Sequence, residues 1–273
     1  MSEKERVHRL LKAYGYEAKK SFGQNFLINE GIIRRIVESM TPEDFATTIE
    51  IGPGLGALTL PLSRKAKKLV AVDADRDMIR ILTEQVFKDD DKVTLVQSDF
   101  LKFDADRYSD PNDRLFIGNL PYNITSELFE YFLREGFKAC GAMVQKEVAD
   151  KLTYVKGKKD NSPLGAFIAV SGKLTLVTDV DRSSFDPAPK VESAFIRIDQ
   201  TQKQDFALYT YFRAFFKDPN KTLSNCLKQY PDYRDIVISL MAETPEIFAM
   251  RARQLDAEDL LTLAKRIQEK ETN

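Results

Sequence analysis

The sequence predicts a doubly wound α/β fold followed by a small all-α domain, and three features of the 273-residue chain support this division. In the first half, short apolar runs alternate with amphipathic stretches, as in the βαβ units of a parallel sheet. Two later apolar runs have no helix between them, which favours an antiparallel hairpin that closes the sheet edge. Beyond residue 199, apolar residues recur at helical spacing.

The strands are predicted from short aliphatic and β-branched runs, and the helices from apolar residues three and four positions apart. The predicted parallel strands are residues 47–51, 68–73, 93–97, 114–118 and 139–145. Helices are expected after the first two strands, at about residues 58–65 and 77–87. The hairpin strands are residues 174–180 and 193–198, on either side of a proline-containing loop.

A change of texture after Asp199 predicts a domain boundary. Residues 200–204 are polar and have the composition of a linker. Pro219, Pro231 and Pro245 divide the region that follows into about four predicted helices. We therefore expect residues 1–199 to form one domain and residues 200–273 a second, helical one. The lysine-rich loop at residues 157–163 is expected to be mobile.

The composition disfavours several classes of function. No apolar run approaches the ~20 residues that span a bilayer, and the N-terminus lacks the apolar stretch of a secretory signal. Two cysteines, Cys140 and Cys226, in such a chain predict a reducing, cytoplasmic location. The single histidine, His8, lies in an N-terminal segment expected to be mobile, which disfavours a catalytic triad. Three scattered Cys and His residues are too few for a structural zinc site, so we expect no metal.

The charge is balanced, with 41 basic and 42 acidic residues, so any contact with nucleic acid must come from local patches. Three segments each carry a net charge of +3, at residues 1–29, 151–160 and 211–228. A single lysine-rich run is usually solvated surface. Three such segments in one neutral chain favour a binding face.

A glycine-rich turn follows the first predicted strand. Gly52, Gly54 and Gly56 allow the backbone to turn sharply and to approach a bound cofactor closely before a helix begins. The spacing is G-x-G-x-G, without the later glycine of the dinucleotide fingerprint. On the glycines alone, a nicotinamide site and a plain structural turn both remain open.

An acidic residue follows each of the next two predicted strands. Asp73 ends the second strand, where a carboxylate can accept hydrogen bonds from both ribose hydroxyls of an adenosine. Asp99 ends the third strand, where it can accept an adenine amino proton while Phe100 packs on the ring. The two acids favour an S-adenosylmethionine site over a nicotinamide site. The alternative for both is that they are helix N-caps.

Residues 118–123 follow the fourth strand, at the sheet edge where doubly wound folds place their chemistry. The exocyclic nitrogen of adenine is a poor nucleophile because its lone pair is delocalised, so methylation needs acceptors on its N–H groups. The Asn119 side chain and the Leu120 carbonyl are candidate acceptors, with Pro121 restricting the geometry before it. Tyr122 offers a ring for a flipped-out base, a stacking contact worth ~1–3 kcal/mol. The alternative is a turn with an aromatic anchor.

Two further segments fit the same chemistry. Residues 184–191 form a proline-stiffened loop in which Phe185 is a candidate to close on the base opposite Tyr122. A hydrophobic plug beneath the loop is an equally strong alternative for Phe185. Residues 21–27 precede the sheet and are candidates to cover the cofactor.

Together these segments resemble the rRNA adenine N6,N6-dimethyltransferases, the KsgA family. The shared motifs, in order, are residues 22–27, 50–59, 119–124, 145–148, 185–193, 221–225 and 251–253. The resemblance implies a Rossmann-like methyltransferase domain that dimethylates two adjacent adenosines near the 3′ end of small-subunit rRNA during ribosome assembly. It implies that S-adenosylmethionine is contacted by Asn25, Leu27, Gly52, Asp73, Asp99 and Asn119. It also implies that residues 119–122 and Phe185 hold the base.

The resemblance further implies that the helical domain binds the ribosomal particle. The candidate contact is a basic helix that carries Lys217, Lys221 and Lys228. We expect a monomer that uses neither a metal nor a membrane.

The chain departs from the family pattern in three places. Asp73 stands where the family usually has Glu, residues 219–220 replace two arginines, and residues 164–166 replace Tyr-Gly-Arg. The last two departures remove three positive charges expected to meet phosphate. All three departures put substrate affinity in question more than chemistry.

Three alternative functions remain open. The Erm group methylates one adenine of large-subunit rRNA, but the motifs at residues 22–27, 119–122 and 251–253 favour the KsgA side. A non-catalytic RNA-binding factor on the same fold is disfavoured by the intact cofactor and acceptor motifs. A nicotinamide dehydrogenase is disfavoured by the residues after the fourth strand.

Overall fold

The computed structural model describes residues 1–16, 24–88, 90–119 and 124–272. The chain forms two compact units. One consists of Met1–Ala149 with Thr175–Asp199, and the other of Asp150–Leu174 with Gln200–Asn273. The grouping differs from the predicted boundary in one segment, residues 150–174, which the sequence assigned to the first domain.

The strands and helices are numbered along the chain. Within the described ranges the strands are β1 (Phe26–Leu27), β2 (Thr47–Ile51), β3 (Leu69–Asp73), β4 (Val93–Gln97), β5 (Arg114–Gly118), β6 (Ala139–Gln145), β7 (Gly172–Val180), β8 (Phe185–Asp186) and β9 (Ser193–Gln200). The α-helices are α1 (Glu3–Ala13), α2 (Glu30–Met40), α3 (Thr59–Lys65), α4 (Arg76–Gln85), α5 (Thr125–Glu135), α6 (Lys146–Leu152), α7 (Pro163–Ser171), α8 (Tyr209–Phe215), α9 (Leu223–Leu227), α10 (Arg234–Glu243), α11 (Pro245–Ala249) and α12 (Ala257–Thr272).

The described strands form one seven-stranded sheet in the order β4-β3-β2-β5-β6-β9-β7. Strands β2 to β6 pair in parallel, and β9 runs antiparallel to β6. From β2 the chain first adds strands on one side, and after β4 it crosses to β5 on the other. This reversal makes the gap between β2 and β5 a topological switch point, where doubly wound folds bind ligands. The predicted fold class is confirmed, with β9 and β7 at the expected edge.

Burial explains why the parallel strands were readable in the sequence. All five residues of β2 and of β5 are buried, so both strands are rich in apolar or β-branched residues, although β2 contains Glu50 and β5 contains Arg114. Strand β7, at the edge of the sheet, is largely exposed or half-buried by comparison. The core cluster against the sheet includes Ile36 and Met40 of α2 and Leu62 of α3.

The N-terminal segment is ordered helix rather than the mobile tail that was expected. A capping box joins Ser2 and Glu5 at the start of α1. Nε2 of His8 lies 2.7 Å from a carboxylate oxygen of Asp186 in β8. The expectation was wrong because the seven residues before His8 are mostly polar and resemble a short, unstructured terminus. The amphipathic pattern of a helix continues beyond them to Ala13.

The second unit is helical. Residues 150–174 belong to it because Phe167 of α7 packs its ring against Phe206, Tyr209 and Phe212. In the described part of residues 200–273 there are five α-helices, where about four were predicted. The additional helix arises because Pro245 starts α11 directly after α10 ends at Glu243. Each helix among the described residues is too short or too polar to cross a bilayer.

Candidate active site

A cavity of about 310 Å³ lies at the carboxyl ends of β2, β3 and β5, together with the residues that follow β4. These strand ends share one edge because parallel strands point the same way. The cavity brings together eight of the nine residues predicted to bind the cofactor. They are Asn25, Leu27, Gly52, Gly54, Asp73, Asp99, Phe100 and Asn119.

The glycine turn connects β2 to α3 in the left-handed backbone conformation. Gly52, Gly54 and Gly56 have φ angles of +70°, +53° and +88°. A Cβ atom on Gly54 would lie 3.6 Å from the Phe26 ring and would strain the backbone. Gly56, the ninth predicted residue, does not line the cavity. A Cβ atom there would lie 3.0 Å from a methyl group of Leu82, so Gly56 permits close packing of α4.

Asp73, at the end of β3, lines the cavity and is hydrogen-bonded to the glycine turn. Its carboxylate accepts hydrogen bonds from the backbone N–H of Gly54, at 3.4 Å, and of Asp75, at 2.8 Å. Burial raises the pKa of Asp73 to about 6, although these two N–H groups oppose the shift. The helix N-cap role falls to Asp75, which accepts from the backbone N–H of Asp77 at 3.0 Å. Asp73 is therefore not the cap of α4.

Asp99 is the N-cap residue of a short 3₁₀ helix at Phe100–Lys102, in agreement with the alternative interpretation. One carboxylate oxygen accepts from the backbone N–H of Leu101 at 3.1 Å. The other oxygen has no partner among the described residues, and the side chain is exposed at the cavity. The Phe100 ring is held edge-on by Tyr131, with 5.8 Å between ring centroids. The cap and a ligand contact are compatible because each uses a different oxygen of Asp99.

Glu50 lies buried in β2 beneath the glycine turn and was not singled out from the sequence as a site residue. Burial raises its pKa to about 8, the nearby Thr59 hydroxyl opposes the shift, and the charge of Asp73 adds to it. One carboxyl oxygen of Glu50 has no partner among the described residues. Glu50 is therefore largely protonated at neutral pH. The motif alone did not reveal this because protonation depends on how deeply the strand is buried.

The methyl-acceptor motif is described only at its two ends. Asn119 is half-buried and lines the cavity directly after β5, and Ile124 lines it on the far side of the motif. The predicted roles of Leu120, Pro121 and Tyr122 fall on residues outside the described part of the chain. The predicted cover at residues 21–23 also lies outside it, while Gln24, Asn25, Phe26 and Leu27 line the cavity.

Phe185 does not face the cavity. Its side chain is buried, with 3% exposure, in the core cluster that also contains Leu27 and Phe195. Strand β8 pairs with β1, so that Leu27 lies opposite Phe185 and Phe26 opposite Asp186. In this structure Phe185 is the hydrophobic plug, the alternative interpretation, because pairing with β1 turns its ring into the core. The expected base contact is corrected accordingly.

Other cavity residues were not predicted. Val7 of α1 lines the cavity although it lies 45 positions before Gly52. Leu101 lines it too and is 45% exposed. The apolar periodicity of α1 signals a buried face for Val7, but nothing local signals which cavity that face meets.

The three lysines proposed for RNA contact do not share one helix. Lys217 follows α8, Lys221 precedes α9 and pairs with Asp218 at 3.6 Å, and Lys228 is the C-cap residue of α9. All three are exposed. The expected basic helix is thus corrected to a set of lysines at helix ends, because the turn at residues 216–222 interrupts the helical pattern.

The cavity fits S-adenosylmethionine chemically. It offers carboxylate acceptors for ribose hydroxyls and an amino group, apolar walls for adenine, and glycines where a side chain would block a close approach. Across the described ranges, no three His, Cys, Asp or Glu side chains are grouped to hold a metal ion.

Comparison with known proteins agrees with this geometry. The profile of the family described as ribosomal RNA adenine dimethylase matches residues 15–269. The Ribosomal RNA small subunit methyltransferase A of Geobacillus thermodenitrificans (strain NG80-2) is 36% identical over 244 residues, covering 84% of this chain and 83% of its own. The protein of that name from Mycoplasmopsis pulmonis (strain UAB CTIP) is 36% identical over 254 residues, covering 90% of this chain and 97% of its own.

Solved structures support the fold. A dimethyladenosine transferase from Plasmodium falciparum aligns with a TM-score of 0.74 at 24% identity, over 90% of this chain and 98% of its own. The 23S rRNA methyltransferase ErmE aligns with a TM-score of 0.66 at 25% identity, over 89% of this chain and 100% of its own. The resemblance and the enzyme class expected from the sequence are confirmed by the family match, which spans most of the chain. The chain belongs to the ribosomal RNA adenine dimethylase family.

Proposed function

We propose that this chain transfers methyl groups from S-adenosylmethionine to N6 of two adjacent adenosines near the 3′ end of small-subunit rRNA. One observation carries the proposal: Asn119, the start of the acceptor motif, lines the same cavity as Asp73 and Asp99. A methyl donor in that cavity therefore lies beside the group that would receive the adenine. The relatives described above are named as methyltransferases of small-subunit ribosomal RNA, and these names favour this substrate over large-subunit rRNA.

The cofactor would be held at several points of the cavity. Asp73 would accept from the ribose hydroxyls, although a shorter side chain than the usual Glu leaves room for a water. Asp99 would accept from the adenine amino group through its free oxygen, and Phe100 would pack on the ring. Gly52 and Gly54 would admit the cofactor close to the backbone. Asn25 and Leu27 would contact it from the β1 side.

The cofactor supplies an electrophilic methyl group on a sulfonium. The protein's contribution is to hold the adenine nitrogen in line with that methyl group. The Asn119 side-chain oxygen would accept one N–H of the amino group, and the Leu120 carbonyl the other, which makes the nitrogen lone pair available. Tyr122 would stack on the flipped-out base. No strong base is needed, because the developing cationic amine loses its proton readily.

The second unit would bind the RNA. Three residues before its lysine-rich loop, the Tyr154 hydroxyl lies within hydrogen-bond distance of the carbonyl oxygens of Ala252 and Leu255, at 3.3 and 2.9 Å. The Gly157 N–H donates to the carbonyl of Arg253 at 2.6 Å. These bonds put the lysine-rich loop beside an arginine-containing segment.

A further bond extends the same surface toward the lysines at the helix ends. Nε of Arg251 donates to the carbonyl of Asn220 at 2.9 Å, next to Lys221. Two of the three basic segments found in the sequence thus contact the same stretch, residues 251–255, within one unit. This shared contact supports a phosphate-binding face that includes Lys217, Lys221 and Lys228.

The proposal also covers the particle and compartment in which the enzyme acts, and its oligomeric state. We expect the substrate to be an assembling ribosomal particle in the cytoplasm, and the enzyme to act as a monomer. Both described cysteines, Cys140 and Cys226, are free and buried, which is consistent with a reducing compartment.

The test is methyl transfer from radiolabelled S-adenosylmethionine to undermethylated small subunits, with large subunits and protein-free rRNA in parallel. We expect N6,N6-dimethyladenosine near the 3′ end of the small-subunit RNA. Label confined to large-subunit RNA would move the assignment to the Erm group. Absence of label with intact cofactor binding would favour a non-catalytic RNA-binding role.

A further inference from the structure

The N-terminal helix α1 forms part of the wall of the cofactor cavity. Val7 and Leu10 on its apolar face pack in one cluster with Phe26 and Leu55, and Val7 also lines the cavity. The capping box between Ser2 and Glu5 fixes the start of this helix. Because its start is fixed in this way, α1 can hold in place the side chains that pack against the glycine turn.

Arg6, the residue before Val7, reaches the glycine turn from outside the cavity. Its Nη2 donates to the backbone carbonyl of Leu55 at 2.8 Å. Nε and Nη2 also donate to the Glu3 carboxylate, at 2.7 and 2.5 Å. The Glu3 backbone N–H in turn donates to a carboxylate oxygen of Glu30 in α2, at 2.9 Å. The guanidinium is therefore held between Glu3 of its own helix and the turn, and the Glu3 backbone in turn ties α1 to α2.

The turn needs such a restraint more than an ordinary loop does. Leu55 lies between Gly54 and Gly56, both in the left-handed region. Glycine loses more conformational freedom on folding than any other residue. The turn's own backbone bonds, from Gly52 N–H to the Val72 carbonyl and from Gly56 N–H to the Pro53 carbonyl, leave the Leu55 carbonyl to be restrained from outside. On the cavity side, the Gly54 N–H makes a long 3.4 Å bond to Asp73. Arg6 supplies a shorter bond on the opposite side.

Stability alone is a poor explanation for Arg6. The side chain is buried, and a buried ion pair gains little because desolvation offsets much of the attraction. Its Nη1 is also buried, with no partner among the described residues. An apolar side chain would avoid both the desolvation of the charge and the unpaired Nη1. The arginine is therefore better explained by the position in which its guanidinium holds the Leu55 carbonyl.

We infer that Arg6 is a positioning residue of the cofactor site: its bond to the Leu55 carbonyl fixes the turn against which the cofactor binds. The inference rests on the proposed function, which assigns this cavity to S-adenosylmethionine. Arg6 takes no part in the methyl-transfer step. Its loss should therefore weaken cofactor binding and raise the KM for the cofactor, while kcat at saturating cofactor and the KM for RNA stay unchanged.

The test measures the Kd for S-adenosylhomocysteine by calorimetry, together with the two KM values and the melting temperature. Losing a hydrogen bond to a charged group should weaken cofactor binding about 10-fold in Arg6→Ala. Arg6→Lys keeps the charge but not the planar fork, and should give an intermediate loss. Arg9→Ala, which removes an exposed arginine from the same helix, is the matched control and should bind normally.

Leu10→Ala separates positioning from packing, because Leu10 belongs to the same cluster but does not line the cavity. It should lower the melting temperature without the cofactor-specific rise in KM. Cofactor affinity within twofold of wild type in both Arg6 variants would overturn the inference and leave the proposed function intact. Failure of the wild-type protein itself to bind S-adenosylhomocysteine would instead overturn both.

Discussion

The cofactor edge of the sheet and the basic surface of the helical unit are built in different ways. At the cofactor edge, the acids and glycines stand at or just after strand ends, where the sheet fixes their positions, and all but the exposed Asp99 are half-buried or buried. On the basic surface, exposed lysines lie at helix ends and in turns joined by hydrogen bonds to backbone carbonyls. Single changes should therefore have large effects on the cofactor and acceptor side, and smaller, graded effects on the RNA side.

The largest effect is expected for Asn119→Ala. Removing a preorganised acceptor beside the reacting nitrogen should lower kcat by about 10²–10³-fold, the range seen when one charge-stabilising group is removed from an active site. Binding of S-adenosylhomocysteine should fall only modestly, since other groups hold the cofactor. Single-turnover transfer and calorimetry on the same preparation check both parts. Wild-type turnover in this variant would remove the acceptor role.

Asp73→Asn should produce the next largest effect. An amide is a weaker acceptor for ribose hydroxyls than a carboxylate, so cofactor affinity should fall about 10-fold or more. In the free wild-type protein the Asp73 pKa is about 6, so affinity should also decline as pH falls below that value. The Asn variant should lose this pH dependence. Calorimetry between pH 5 and 8 tests the prediction, and parallel pH profiles for the two proteins would refute it.

Charge reversal of Lys217 and Lys228 should have a graded effect on RNA binding. Each lost phosphate contact reduces the salt dependence of log K by roughly 0.7–0.9, so the double variant should bind rRNA less tightly with a flatter salt slope. Lys265→Glu, the reversal of an exposed lysine on α12, controls for a charge reversal outside this surface, with half of the double variant's change in net charge. Equal slopes in all three proteins would take these two lysines out of the interface. Cofactor affinity should stay the same throughout.

The smallest effect on activity at a fixed pH is expected for Glu50→Gln, whose main consequence is for the pH dependence of stability. The Glu50 pKa is raised from 4.5 to about 8 in the folded protein. The folded state thus holds a proton that the unfolded state releases above its own pKa, so stability falls as pH rises through this window. The loss approaches roughly 1.4 kcal/mol per pH unit. The Gln variant should show a flatter decline between pH 5 and 8.

Denaturant melts at several pH values check the Glu50 prediction. Glu38→Gln, an exposed glutamate on α2, is the matched control. A decline in the Glu50→Gln variant as steep as that in the wild type would show that another group causes the pH dependence.

The sequence predicted which residues meet at this edge of the sheet, because the signals for them are local. A strand followed by Gly52, and strands ending near Asp73 and Asp99, define neighbouring positions once the sheet is parallel. It did not predict Val7 or Arg6, because their contacts with the turn span about 50 residues and depend on how α1 packs. Nor could it decide between the two roles of Phe185, since the pairing of β1 with β8 settles where that ring points.

The boundary of the second unit shows the same limit. Residues 150–174 come soon after the last parallel strand in the sequence. Their composition does not indicate that they pack against the C-terminal helices. Contacts made in the folded chain, such as those of Phe167 with α8 and the turn before it and those of Tyr154 with Ala252 and Leu255, reveal that this segment belongs to the helical unit. Composition identifies a domain but not the segments that join it from elsewhere in the chain.

A crystal structure with S-adenosylhomocysteine bound would test the central claim most directly, namely that one cavity at the switch point serves both cofactor and methyl acceptor. The account predicts the ribose hydroxyls on Asp73, the adenine between Asp99 and Phe100, and the sulfur facing Asn119. A cofactor bound outside this cavity, or with its sulfur turned away from Asn119, would contradict it.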